Sequence, residues 1–135
     1  MIKYSVIGTS WITNSFIEGA NLYKDLCLDG VYSRSFEKGN AFAKETGAKR
    51  VFTDFNELLS SDTDLVYVAS PNVCHYEQCK ALLLNGKHVI CEKPITITVR
   101  EFKELCAIAK ENNLVYFEAI MYMHTPLRQV LKDAV

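Results

Sequence analysis

Apolar residues follow two alternating patterns along this chain. Short, nearly continuous apolar runs alternate with longer stretches in which apolar residues recur every three or four positions. That is the signature of buried strands separated by helices. Lys3 to Gly8 predicts a strand, with Tyr4, Val6 and Ile7 as β-formers and Gly8 as its stop. Ser10 then reads as a helix N-cap, and Ile12, Phe16, Ile17 and Ala20 follow at helical spacing. Leu26 to Tyr32 predicts a second strand, with an irregularity at Asp29-Gly30. A helix over Phe36 to Thr46 is stopped by Gly47, and a short one covers Phe55 to Leu59. Leu65 to Ala69 is the clearest strand, apolar almost throughout, as a strand covered on both faces should be. Val73 to Leu84 predicts a helix ending at Asn85-Gly86, Lys87 to Cys91 a strand, Thr98 to Glu111 a helix and Leu114 to Phe117 a strand. Thr125-Pro126 opens a final helix with proline at its first position.

Strands alternating with helices over short connections imply an α/β fold, a doubly wound parallel sheet with helices on both faces. Ligands of such sheets bind at the carboxyl ends of the strands. The chemistry is therefore expected in Gly8 to Thr13, Ser33 to Ser35, Ser70 to Asn72, Glu92 to Pro94, and from Glu118 onward. Length and composition fit one domain of this kind: 135 residues, 49% hydrophobic and 23% charged. Fifteen Lys and Arg against 16 Asp and Glu give a net charge of -1, which removes the basic excess that nucleic acids and anionic membranes demand. No apolar run is long enough to span a membrane, and the N-terminus lacks the layout of a signal peptide, so a cytoplasmic protein is expected. Cys27, Cys74, Cys79, Cys91 and Cys106 form no Cys-x-x-Cys pair and read as small buried hydrophobes in a reducing compartment, with a zinc site or redox pair as the alternative. His75, His88 and His124 have no zinc-ligand spacing, and no metal is expected.

The loop after the first strand reads Gly8-Thr9-Ser10-Trp11-Ile12-Thr13. A dinucleotide loop carries Gly-x-Gly-x-x-Gly/Ala, and only Gly8 matches; Ser10 and Thr13 replace the later glycines. Serine is small and can donate to a phosphate. Thr13 is bulkier and is expected to push the first helix slightly off the sheet. The alternative is an ordinary strand–turn–helix corner. After the second strand, Ser33-Arg34-Ser35 places hydroxyls and a guanidinium where an acid would meet a free ribose 2′-hydroxyl. That favours a 2′-phosphate, hence NADP over NAD, against a merely solvated Arg34. Glu92-Lys93-Pro94 ends an apolar strand at the ligand edge. Pro94 restricts Lys93 to extended backbone. Lys93 can hydrogen-bond a substrate hydroxyl and exchange a proton, and Glu92 can accept from a ribose hydroxyl. A surface ion pair is the plain alternative.

Taken together, these segments resemble the Gfo/Idh/MocA family of NAD(P)-dependent sugar and polyol oxidoreductases. The resemblance is carried by the variant glycine loop, by Val68-Ala69-Ser70-Pro71-Asn72-Val73-Cys74-His75, by Gly86-Lys87-His88-Val89-Ile90-Cys91-Glu92-Lys93-Pro94, and by Phe117-Glu118-Ala119-Ile120-Met121-Tyr122. It implies a Rossmann domain over residues 1–121, with 122–135 as a helix connecting to a C-terminal α+β substrate domain that this chain does not contain. The loop of Gly8, Thr9, Ser10, Trp11 and Ile12 would surround the pyrophosphate, and Ser33 and Arg34 would meet the adenosine ribose. Ser70, Asn72 and His75 would line the path to the nicotinamide. Glu92 would touch the nicotinamide ribose, Lys93 would contact the substrate near the hydride-transfer centre and help move or stabilise the proton, Lys93 and Pro94 would also meet the cofactor, and Glu118 would help seat the nicotinamide. Met123-His124-Thr125 departs from the family pattern, which leaves a substrate role for that stretch in doubt.

The implied activity is hydride transfer between the nicotinamide of NADP or NAD and a hydroxyl-bearing carbon of a sugar, polyol or dihydrodiol-like small molecule. The implied assembly is a homo-oligomer of the longer protein, and the fragment alone should turn over little. The competing readings are a non-catalytic NADP(H)-binding or sensing module, and a stable fragment that binds nothing and self-associates through an apolar patch.

Overall fold

The computed structural model describes residues 1–121 and 125–134. Met123 and His124, part of the stretch that departs from the family pattern, therefore lie outside the described residues. Six strands form one sheet: β1 (Ile2–Ile7), β2 (Leu26–Tyr32), β3 (Arg50–Phe52), β4 (Leu65–Val68), β5 (His88–Glu92) and β6 (Tyr116–Ala119). The helices are α1 (Trp11–Ala20), α2 (Phe36–Thr46), α3 (Phe55–Ser60), α4 (Asn72–Leu84), α5 (Val99–Glu111) and α6 (Pro126–Asp133). All pairings are parallel, and the spatial order is β3-β2-β1-β4-β5-β6. The order reverses between β1 and β4, which places the ligand crevice at their carboxyl ends.

Alternation along the strands divides the core into two layers. Val66, Val68, Val89 and Cys91 face one way, against Leu58 of α3, Cys79, Leu82 and Leu83 of α4, and Leu105 and Ala109 of α5. Tyr4, Val6, Val31 and Tyr67 face the other way, against Ile17 and Ala20 of α1 and Phe42 and Ala43 of α2. Leu82, Leu83 and Leu105 are fully buried, each stabilising the fold by about 2 kcal/mol.

The helix ends follow their sequence signals. Ser35 Oγ accepts from the Lys38 N–H, Asp54 from the Asn56 N–H, and Thr98 forms a reciprocal capping box with Glu101. Gly47 ends α2 in the left-handed region at φ 80°.

The irregularity expected at Asp29-Gly30 is a bulge: Tyr4 pairs with Leu28 but Ser5 with Gly30, so Asp29 is the extra residue. Its buried carboxylate accepts from Arg50 Nε at 3.0 Å and Thr63 Oγ1 at 3.1 Å. Arg50 continues to Asp62 at 2.7 Å, and Asp62 also pairs with Lys3.

Two strand expectations need correction. β3 was not anticipated, because three residues at a sheet edge carry no period of their own. The last strand is Tyr116–Ala119 rather than Leu114 to Phe117; Leu114 packs against the α4–α5 core as the chain enters the sheet. Thr13, expected to hold α1 off the sheet, is completely buried beneath the loop, with its Oγ1 3.4 Å from Ser10 Oγ. The five cysteines are unpaired, Cys79 and Cys91 buried and the others partly so.

Candidate functional site

The first cavity opens at the carboxyl ends of β1, β2 and β4, with a volume of about 400 Å³. Gly8, Thr9 and Ser10 form one wall; Ser33, Arg34, Ser35 and Lys38 another; Ser70 and Pro71 a third. Among the described residues no carboxylate lines it, although Ser35 Oγ on its wall donates to Glu37 Oε2 at 2.8 Å. Gly8 sits at φ 104°, and a Cβ there would stand 2.7 Å from the Ala69 carbonyl oxygen. Only glycine lets β1 turn this close to β4. Ser10 caps the ten-residue α1 through extended backbone but lends no side-chain cap, and it lines the crevice where the helix end attracts anions. Ser33 Oγ closes the turn into α2 by donating to the Ser35 carbonyl at 2.9 Å. Ser70 Oγ donates to Gln78 Oε1 at 2.6 Å.

A second cavity, about 650 Å³, borders the first at the α1 N-terminus. It is lined by Trp11, Ile12, Glu92, Lys93, Pro94, Glu118 and the chain from Ala119 to Met121. Trp11 is 77% exposed over it. Here the charged groups of the site converge. Glu92 accepts through Oε1 from the Tyr67 phenol at 2.5 Å and through Oε2 from the Lys93 N–H at 3.3 Å. Burial, and then the Glu92 carboxylate, push the Tyr67 phenol far above its ordinary range, so it stays protonated and donates. Glu118 Oε1 accepts from the Ile95 N–H at 2.9 Å, tying β6 to the segment after Pro94. The Lys93–Pro94 peptide is cis, and the Lys93 side chain is exposed at the cavity rim.

The structure thus gathers Gly8, Thr9, Ser10, Ser33, Arg34 and Ser70 around the first cavity, and Trp11, Ile12, Glu92, Lys93, Pro94 and Glu118 around the second. His75 and Asn72 line neither cavity. Asn72 is exposed at the start of α4. The His75 ring is fully buried, with Nδ1 2.8 Å from the Pro94 carbonyl oxygen and Nε2 2.9 Å from that of Ser70. Each ring nitrogen thus lies within hydrogen-bond distance of a carbonyl oxygen, one on each loop. His75 therefore joins the loops after β4 and β5 from behind, instead of lining the path between them.

Sequence reasoning passed over Lys38 and Tyr67. Lys38 sits in the first turn of α2, where a cation opposes the helix dipole; that mismatch was the available signal. Tyr67 was the one hydroxyl in an otherwise aliphatic strand. Among the described residues no cluster of His, Cys, Asp or Glu is placed to hold a metal ion. No helix there is long and apolar enough to cross a membrane.

The fold has counterparts in known proteins. The model of the oxidoreductase family with an NAD-binding Rossmann fold, GFO_IDH_MocA, matches residues 2–120. The chain belongs to this family. It is 42% identical over 133 residues to scyllo-inositol 2-dehydrogenase (NADP(+)) IolU of Bacillus subtilis (strain 168), covering 98% of this chain and 40% of that protein. It is 32% identical over 136 residues to 1,5-anhydro-D-fructose reductase of Ensifer adhaerens, covering 100% of this chain and 41% of the relative. The crystal structure of KijD10, a 3-ketoreductase from Actinomadura kijaniata in complex with NADP and TDP-benzene, superimposes with a TM-score of 0.92 at 29% identity, over 98% of this chain and 41% of that one. The chain spans about two fifths of the length of these relatives. As a family member it is an NAD-binding Rossmann domain.

Proposed function

We propose that the chain holds NADP(H) and presents its nicotinamide for hydride exchange with a hydroxyl-bearing carbon of a sugar- or polyol-like substrate. The carrying observation is the charge division of the crevice. One lobe offers Arg34 and Lys38, serine hydroxyls and a helix N-terminus with no acid; the other offers Glu92, Lys93 and Glu118. That donor set fits a dinucleotide. The 2′-phosphate would meet Arg34, Lys38 and Ser33, and the pyrophosphate would meet Gly8 to Ile12. The relatives' names support the phosphate, IolU being an NADP(+) enzyme and KijD10 a complex with NADP.

When bound, the nicotinamide supplies or takes the hydride. The chain's own residues do the rest. Glu92 accepts from the nicotinamide ribose and fixes its orientation. Lys93 holds the substrate oxygen and gives or takes the proton there as the carbon changes between alcohol and ketone. Glu118 steadies the strand edge below the ring. His75 keeps the two contributing loops in register, a positioning role and not a contact.

Residues 1–121 form the cofactor domain, and 122–135 lead on from it. In the longer relatives' frame, the remaining substrate contacts and a homo-oligomer interface would come from elsewhere in the protein. The unpaired cysteines suit the reducing cytoplasm.

The test is a titration with NADPH and with NADH, followed by Trp11 fluorescence and by calorimetry. Saturable binding, tighter for NADPH, is expected. No heat from either cofactor up to about a millimolar, a level that leaves less than roughly 4 kcal/mol of affinity, overturns the proposal. Lys93→Ala in the active protein separates catalysis from mere binding: turnover should fall by about 10²-fold or more with cofactor affinity retained.

A further inference from the structure

The Glu92 carboxylate is not oriented by its own strand alone. Tyr67 lies within β4, 1% exposed, and its register partner on β5 is Ile90. Residues two apart on a strand share a face, so Tyr67, Ile90 and Glu92 project to the same side of the sheet. The Tyr67 phenol spans the diagonal to Glu92 Oε1 at 2.5 Å.

The phenol is itself held from behind. The Tyr67 ring stacks on Phe16 of α1 with centroids 3.9 Å apart and planes 3° from parallel. Phe16 in turn meets the Tyr4 ring edge-on at 5.9 Å. A chain of three aromatic rings between the sheet and α1 therefore fixes the point from which the hydroxyl donates. Glu92 Oε2 is steadied from the other side by the Lys93 N–H at 3.3 Å. A carboxylate has about four acceptor positions; these two bonds set its plane and leave the others for a ligand in the second cavity. Packing does not require the hydroxyl, since a phenylalanine would fill the same space. Without Glu92 it would be a buried donor with no partner.

We propose that Tyr67 is a positioning residue for the cofactor: its phenol holds the Glu92 carboxylate in the orientation that receives the nicotinamide-ribose hydroxyls. This rests on the ribose role of Glu92 proposed above.

The test is calorimetry on the whole chain with two ligands, NADPH and 2′,5′-ADP, the second lacking the nicotinamide half. Tyr67→Phe keeps the ring and its stacking. It should bind NADPH about tenfold more weakly, the effect of one hydrogen bond to a charged group, and bind 2′,5′-ADP as the parent does. Unchanged 2′,5′-ADP binding also certifies that the variant is folded. In a Glu92→Ala background, Tyr67→Phe should cause no further loss, because the group it positions is gone.

Equal weakening of both ligands would show a merely structural role and overturn the proposal. So would unchanged NADPH affinity in Tyr67→Phe when Glu92→Ala alone weakens it. If Glu92→Ala itself leaves NADPH binding intact, the ribose role of Glu92 falls, and the Tyr67 proposal falls with it.

Discussion

Replacing Gly8 by alanine tests whether the approach of β1 to β4 builds the crevice. At φ 104° an alanine sits in a region disfavoured for L-residues, at a cost of about 1 kcal/mol or more. Its Cβ would also stand 2.7 Å from the Ala69 carbonyl oxygen and 3.3 Å from the carbonyl carbon. Both are backbone atoms, and both strands are tied at this point. The Gly8 N–H donates to the Tyr32 carbonyl at 3.2 Å and the Ala69 N–H to that of Ile7 at 3.0 Å. No rotamer relieves the clash, so a strand end must move, at about 2 kcal/mol. Gly47→Ala is the matched control: φ is 80° and nothing lies within 4 Å of the added methyl, so only the conformational cost of about 1 kcal/mol applies. With a urea slope of about 2 kcal/mol per molar, the midpoint should fall by about 1.5 M for Gly8→Ala and about 0.5 M for Gly47→Ala. Far-UV circular dichroism reads both. NADPH affinity should fall at least about tenfold for Gly8→Ala and stay unchanged for Gly47→Ala. Equal midpoints for the two variants would refute the steric reasoning, because left-handed strain alone would then explain both.

Arg34→Ala and Lys38→Ala should each weaken NADPH binding by about tenfold while leaving NADH unchanged, since in the proposed binding mode each removes a cation facing the 2′-phosphate; calorimetry at two salt concentrations measures it. His75→Ala should cost about 3 kcal/mol and lower the melting temperature by about 10 °C, because it opens a cavity and removes the ring that bridges the Ser70 and Pro94 carbonyls. Lys3 first, and then Arg50, hold Asp62 down to about 2 through side-chain hydrogen bonds. The stability this pairing adds is complete above the unfolded carboxyl's range near about 4 and is lost as pH falls through about 2. In acid titrations at low salt, the wild-type advantage over Asp62→Asn should therefore shrink between those limits.

Most of the sheet was legible because its strands are buried on both faces and its helices are marked at their ends by Ser35, Gly47, Thr98 and Asn85-Gly86. Even the Asp29 bulge announced itself, as a charged residue and a glycine inside an apolar run. What stayed hidden was whatever depends on a partner distant in sequence. β3 exists because Arg50 to Phe52 pairs with Gly30 to Tyr32, not because three residues prefer to extend. His75 reads as a polar residue near a ligand edge; only tertiary packing shows that it faces backwards, into carbonyls of two loops. Lys38 is one helical turn from its expected neighbours, and its meaning depends on which way α2 points.

The two lobes of the crevice are built from different materials, and this predicts how substitutions will sort. The first is made of backbone, hydroxyls and two cations on exposed turns, Arg34 and Lys38. In the proposed binding mode such groups set affinity and cofactor choice but touch no reacting atom. The second is an apolar surface of Trp11, Ile12, Pro94 and the chain from Ala119 to Met121 that carries three charged side chains, two of which are held by the interior: Glu92 through Tyr67 and the aromatic stack, and Glu118 through the Ile95 N–H. A group oriented by buried partners retains its geometry when substrate arrives, which orientation-dependent catalysis requires. Changes at the first lobe should thus alter binding and leave turnover of the bound complex intact. At the second lobe, changes at Lys93 should alter turnover out of proportion to binding, whereas changes at Glu92, or at Tyr67 behind it, should weaken the hold on the nicotinamide half as well. His75 is the exception, because it ties both lobes together at Ser70 and Pro94; its loss should impair binding and turnover in parallel.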